Sequence, residues 1–241
     1  MRSARSPRAR RRLGAAALLA VGLLSWQVAV AAASHRVVAH SHARAVATAI
    51  NLIHADLPTL KQVGSISTTP EGENGARLSA CAGGVPDRLA FANVSSPSFV
   101  SNSEPSTTIS SSTEIFPSAG LVAQDLAAAQ SARGQKCIQQ ALQASLRSQA
   151  QKNETFSAKL SLRPAPVSGT DTAVEVRVAI LATVASKGKT VSVPLTADFI
   201  GFGWGQAEVT LSVMTTLTPP SARLERQLGA ILVRRARAAI G

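Results

Sequence analysis

AVEVRVAILATV (residues 173–184), VSVPLTADF (191–199) and EVTLSVMTTL (208–217) place an apolar side chain at nearly every second position. Val174, Val176, Val178, Ile180, Ala182 and Val184 oppose Glu175, Arg177 and Thr183. Val191, Val193, Leu195, Ala197 and Phe199 oppose Ser192, Thr196 and Asp198, and Val209, Leu211, Val213 and Leu217 oppose Glu208, Thr210 and Ser212. FSAKLSL (156–162) has the same rhythm. A period of two belongs to strands, and clean alternation to antiparallel strands with one face on a core and the other in water. The polar run Ser186–Lys189 marks a turn, so the four segments predict an antiparallel meander.

The segments around the meander read as helix or loop. Val46, Ile50, Ile53, Leu57 and Leu60 recur at helical spacing, predicting one helix over His40–Leu60 that Pro58 ends near Asp56-Leu57. Residues 62–113 are rich in Gly, Pro, Ser and Thr and read as loops with one or two strands, the last near Thr107–Phe116. Ser118 caps a helix carrying Leu121, Val122 and Leu126. Gly134 is expected to break it before a second stretch, Lys136–Gln149. Pro219-Pro220 opens a last helix with Leu224, Leu228, Ile231 and Leu232 on one face. The expected fold class is α+β: an antiparallel four- to six-stranded sheet packed with helices, preceded by an N-terminal signal or anchor segment.

That first segment carries Arg2, Arg5, Arg8, Arg10, Arg11 and Arg12 ahead of any acid, then runs without a charge from Leu13 to Ala33. A basic stretch, an apolar stretch and small residues at Ala29, Ala31 and Ala33 have the anatomy of an export signal; the same length can also just span a membrane. Residues 1–33 are therefore read as a signal peptide or membrane anchor, 34–44 as a flexible stub, and 45–241 as a single extracytoplasmic domain. No cysteine lies near Ala33 to carry a lipid. Losing residues 1–33 removes six arginines and no acid, so the formal charge falls from +12 to +6. Much of the basic excess is then targeting charge. The rest gathers at Arg223, Arg226, Arg234, Arg235 and Arg237, without interleaved aromatic rings to stack on bases, which argues against nucleic acid. A membrane surface is the partner considered for these five arginines.

Few residues suit chemistry. All four histidines (His35, His40, His42 and His54) precede residue 55, which leaves the meander without a base for a Ser-His-Asp or Cys-His centre, and two cysteines cannot build a Cys-rich zinc site. No cofactor or metal set is read from the sequence. Cys81 and Cys137 lack a CxxC partner or an adjacent base, and export would favour their joining as a structural disulfide. Glu175, Asp198 and Glu208 could share the polar face of the sheet as a carboxylate pair for hydrolysis, but Lys159 and Arg177 on that face offer cross-strand ion pairs instead. Ile200, Phe202 and Trp204 put apolar bulk on the phase that should be wet, with Met214 expected beside them. Such bulk needs a cover, either the N-terminal helices or a ligand. Gly201, Gly203 and Gly205, which alternate with them, point to close backbone approach or a bend.

Three stretches carry a family likeness: the segment Leu52-Ile53-His54-Ala55-Asp56-Leu57-Pro58; Ile115-Phe116-Pro117-Ser118-Ala119 with Asp125-Leu126 and then Cys137; and the closing strand pair followed by Pro219 to Leu232. In this order, over residues 45–240, the chain resembles exported envelope proteins of actinobacteria, in particular the extracellular sensor domain of PknH-type receptor kinases and related cell-envelope lipoproteins. The resemblance implies a non-catalytic domain with a groove for a ligand and supplies no binding residue. The chain departs from it by allowing one disulfide where the sensor domain has two, and by carrying neither a kinase nor a lipidated cysteine. The function expected is sensing or binding of an apolar or envelope ligand. The alternatives are an accessory secreted domain without a ligand and, more remotely, a carboxylate-based exported hydrolase.

Overall fold

The structure, a computed structural model, describes residues 35–68, 73–101, 103–150, 154–186 and 189–241. Residues 1–33, read as a signal or anchor, lie outside the described residues. The long alternating segments form β5 (Glu154–Arg163), β6 (Thr172–Ser186), β7 (Lys189–Trp204) and β8 (Ala207–Thr216), with β4 (Thr107–Ile115) beside β8. All their pairings are antiparallel.

The sheet has eight strands, which corrects the expected four to six. The additional strands come from the region read mostly as loop: β1 (Lys61–Val63), β2 (Ala92–Ser95) and β3 (Ser98–Ser101). β2 and β3 pair along successive parts of one edge of β4, interrupted at Ser96-Pro97, and β1 extends the sheet beyond β3. At three or four residues each they are too short for alternation to show, and their pairing comes from the edge that β4 offers.

Among the described residues, five α-helices pack around the sheet. α1 (His40–Ile50) and α5 (Ala222–Ile240) lie on one face; α2 (Glu73–Ala82), α3 (Ala119–Gln130) and α4 (Ala132–Gln149) are on the other side, where α3 and α4 meet the sheet. There are accordingly two cores rather than one. Ile200, Phe202, Val209, Leu211 and Val213 pack with Ala43, Ala47 and Ile50 of α1 and Leu228 and Leu232 of α5. Val174, Val176, Val178 and Ala197 pack with Val122 and Leu126 of α3. β7 serves both, turning Ala197 to the second core and Ile200 to the first. Gly201 and Gly203 lie under α3: a Cβ at Gly203 would fall 2.7 Å from Val122 Cγ1, so the helix sits almost on bare backbone.

Three boundaries differ from expectation. The first helix stops at Ile50 because Asn51, fully buried, turns its side chain to the sheet, donating to Val94 O (2.7 Å) and accepting from Ser111 (2.9 Å) and Thr113 (3.1 Å). A 3₁₀ turn, His54–Asp56, follows. The break between α3 and α4 falls at Ser131, whose hydroxyl accepts from Gly134 N at 2.9 Å, so Gly134 lies inside the first turn of α4 rather than ending α3. Residues 35–44, expected as a flexible stub, are pinned: Arg36 N donates to Ile240 O (2.7 Å), Val38 N donates to Gln206 Oε1 (2.6 Å), and α1 begins at His40. Gln206, itself buried, also donates to Phe116 O and Pro117 O, which gives the segment a rigid anchor.

Candidate functional site

Cys81 at the end of α2 and Cys137 in α4 are joined as a disulfide across 56 residues of sequence. Arg133 strengthens the joint by donating to the α2 carbonyl of Cys81 at 2.5 Å, one of the carbonyls that a helix end leaves open. α4 is held to the outer strand as well: Gln139 donates to Ala158 O (2.7 Å) and accepts from Leu160 N (3.0 Å), covering part of the free edge of β5. Between these helices and the sheet runs a groove of about 780 Å³. Leu78, Ile138, Ala141 and Leu142 line its helical walls, with Val178 and Phe199 on the strand side. Phe199 is 41% exposed although it sits in the middle of a sheet face. The volume lies within the range of small-molecule sites, and the lining is mostly apolar with polar groups such as Gln140 and Ser145 among it. In the sequence Phe199 is simply the last apolar residue of its alternating run. What sets it apart is that α3 stops covering the sheet there, which no local pattern records.

The four residues singled out for a ligand do not converge. Ile200 and Phe202 have no exposed surface and belong to the core shared with α1 and α5. Trp204 is half-buried at the edge of that core, with His35 edge-on at 4.6 Å and the Arg237 guanidinium 4.8 Å from the ring centroid. Met214 lies on the opposite face and is 41% exposed. The two-residue loop Gly205-Gln206 explains this, because it pairs Trp204 with Ala207 and hence residues of opposite number parity: Ala197 with Met214, Ile200 with Leu211. The cover over Ile200 and Phe202 is helical.

The carboxylates divide for the same reason. Glu175 and Asp198 share the α5 face, while Glu208, paired with Gly203, is on the other. Arg177 clamps Asp198 through two hydrogen bonds, the Nε–Oδ1 contact being 2.6 Å, and Arg163 Nη1 lies 3.2 Å from Glu175 Oε1. α5 adds a third carboxylate, Glu225, which the sequence reading did not place here. The three offer oxygens within 4.8 Å of one another, all buried. Two guanidiniums offset two of the charges. Burial and the adjacent Asp198 push the Glu225 carboxyl up to about 8, and burial likewise raises Glu175. Arg177 occupies both Asp198 oxygens, Glu175 Oε1 and Glu225 Oε1 accept no hydrogen bond, and a proton retained on Glu225 lowers the charge of the cluster. Glu208 forms a second acidic pair with Asp125, which is also tied to Val85 N at 2.5 Å; burial raises both carboxyls, Glu208 strongly, with Asp125 and Glu114 adding like charge around Glu208. Neither group opens onto the groove.

The five arginines proposed as a membrane contact also separate. Arg235 turns inward, donating to Asp56 at 2.8 Å with both terminal nitrogens and to Asn51 O at 2.7 Å. Arg237 rests on Trp204 and donates to Gly169 O. Arg223, Arg226 and Arg234 are exposed. His35 and His40 pack edge-on against different rings, Trp204 and Phe91. Among the described residues, no helix is long and apolar enough to cross a membrane.

No protein-family model matches the chain, and no curated protein matches it in sequence. Among solved structures, the extracellular domain of PknH from Mycobacterium tuberculosis is similar, at 10% identity over 85% of this chain and 99% of that one, with a TM-score of 0.46. This is the sensor domain that the sequence resembles. At that distance no residue role or ligand is transferred, and the functional reading rests on the geometry of the chain itself.

Proposed function

We propose that this protein is an exported, non-catalytic domain of the cell envelope that holds an apolar small molecule in the groove between α2, α4 and the sheet. The observation that carries the reading is Phe199, an aromatic side chain left 41% exposed on the strand side of a cavity of about 780 Å³. Leaving that much apolar surface wet is unfavourable by roughly 25 cal/mol per Å², a cost that an apolar guest removes. The clasp of Cys81 to Cys137 fits a site that must keep its walls apart while empty, and it fits an oxidising compartment, in line with residues 1–33 as signal or anchor. The absence of a catalytic role is supported by the carboxylates: those facing α5 are sealed and carry guanidinium partners, and none stands across the groove from another.

The test is a melting-temperature screen of the purified protein against fatty acids, phospholipids and cell-wall fragments, since a ligand bound at a hundredfold its Kd stabilises the native state by about 2.7 kcal/mol. A rise of several degrees that disappears when Ala141→Trp fills the groove supports the reading. An accessory domain without a ligand is favoured by the helical sealing of Ile200 and Phe202, and it predicts no shift with any of these compounds.

A further inference from the structure

On the other face of the sheet, α5 and the β5–β6 connection enclose a notch of about 350 Å³, lined by Pro166, Val167, Ser168, Arg226, Arg234 and Arg237 with Ala230 and Val233 between them. The connection can lie this close because residue 229 is a glycine: a Cβ there would fall 2.5 Å from Val167 Cγ1. Arg226, Ala230 and Arg234 follow one another at intervals of four, so the two arginines stand about 12 Å apart along the helix with only a methyl group between them. Both side chains line the same notch. Neither Arg226 nor Arg234 has a hydrogen-bond or ion-pair partner among the described residues. Arg237 is held in place against Trp204 and Gly169 O, which fixes one wall of the notch.

The nearest carboxylates in sequence are committed elsewhere. Glu225, the one acid of α5, is buried against the sheet with Asp198 and Glu175. Asp171, at the end of the connection, accepts from Gly205 N at 2.7 Å and lies 3.1 Å from His35 Nε2. Three cations therefore line a partly enclosed, partly apolar space that no carboxylate among the described residues lines. Guanidinium forks match tetrahedral oxyanions in both charge and hydrogen-bond geometry. We infer that this notch binds a phosphate group, with Arg226 and Arg234 as its ligands, Arg237 as its fixed wall and Ser168 as a further hydroxyl at the rim. The site is independent of the apolar groove, which lies on the opposite face.

The phosphate can belong to a soluble ester or to a lipid headgroup, and two arms separate them. The full-length protein is titrated calorimetrically with inorganic phosphate and glycerol phosphate, and is sedimented with vesicles of phosphatidylglycerol in phosphatidylcholine against phosphatidylcholine alone. Each arm is repeated with Arg226→Gln/Arg234→Gln and with Arg44→Gln/Arg147→Gln, which removes the same charge away from the notch. All four positions are exposed, so both variants are expected to melt with the native protein. Binding in either arm that weakens at least about tenfold in the first variant and less than about twofold in the second supports the site and names its source. Absence of binding in both arms overturns it, as does equal weakening by the two variants or insensitivity to both.

Discussion

Glu225 shows how one side chain can be read wrongly from its helix position. On sequence it is an acid in the first turn of a helix, the ordinary place for one. In the fold it faces the sheet, where Asp198 and Glu175 wait with Arg177 and Arg163. The native state holds its proton to about pH 8, whereas the unfolded chain releases it near the usual glutamate value. Between those two values the native state binds more protons, so stability falls as pH rises through the window. Glu175, Asp125 and Glu208, also raised, act with the same sign. The melting temperature is therefore expected to be higher at pH 5 than at pH 9. Glu225→Gln, which keeps the shape and the hydrogen-bond donor but cannot ionise, should shrink that difference by on the order of 5 °C. Calorimetric scans at both pH values check this, and an unchanged difference in the variant would show that the proton is held elsewhere.

At the scale of elements, β7 decides the architecture, and it was only half legible. Its apolar phase is odd-numbered through Phe199 and even-numbered from Ile200, a shift that means a strand passing from cover on one face to cover on the other. The sequence displayed the shift, together with the glycines opposite Ile200 and Phe202. It offered the N-terminal helices or a ligand as the cover, and did not place α5 there, because that depends on where the last helix returns in the fold. The Gly205-Gln206 loop was not read, and its length alone places Met214 and Glu208 on the face opposite Ile200 and Asp198. By contrast α2 and the three short strands had no periodicity to read; they exist through tertiary pairing and the disulfide. The glycine reading has a direct consequence. Gly203→Ala would set a methyl 2.7 Å from Val122 Cγ1 and 3.1 Å from Thr172 Cγ2, forcing α3 outward at a cost of about 1–3 kcal/mol. A chemical-denaturation curve with an unchanged slope and an earlier midpoint is the expected result. An unaltered midpoint would mean that α3 does not bear on the strand as closely as the geometry has it.

For the whole molecule, the two faces of one sheet carry different surfaces: a mostly apolar groove beside α4 and a notch lined by arginines beside α5. Both depend on helices held at a set distance from the strands, yet only the groove relies on a covalent tie. Closing 56 residues into a loop is worth about 4 kcal/mol in the chain-entropy model, a large share of the 5–15 kcal/mol that a domain has in all. α2 is ten residues long and borders the groove, and the disulfide and Arg133 tie it to α4. If α2 depends on the disulfide, the compartment where the chain folds decides whether the groove has its second wall. If residues 1–33 direct export, full-length protein from cells should resist thiol alkylation until a reductant is added, and should fractionate outside the cytosol. A form lacking residues 1–33, kept in the cytosol, should be alkylated at both Cys81 and Cys137 and should melt several degrees lower. It should also respond less to whichever compound stabilises the oxidised protein, while its affinity for phosphate at Arg226 and Arg234 stays unchanged, because that notch does not touch α2 or α4. Full-length protein recovered from the cytosol with both thiols free would remove the basis for export and for the disulfide as the keeper of the groove.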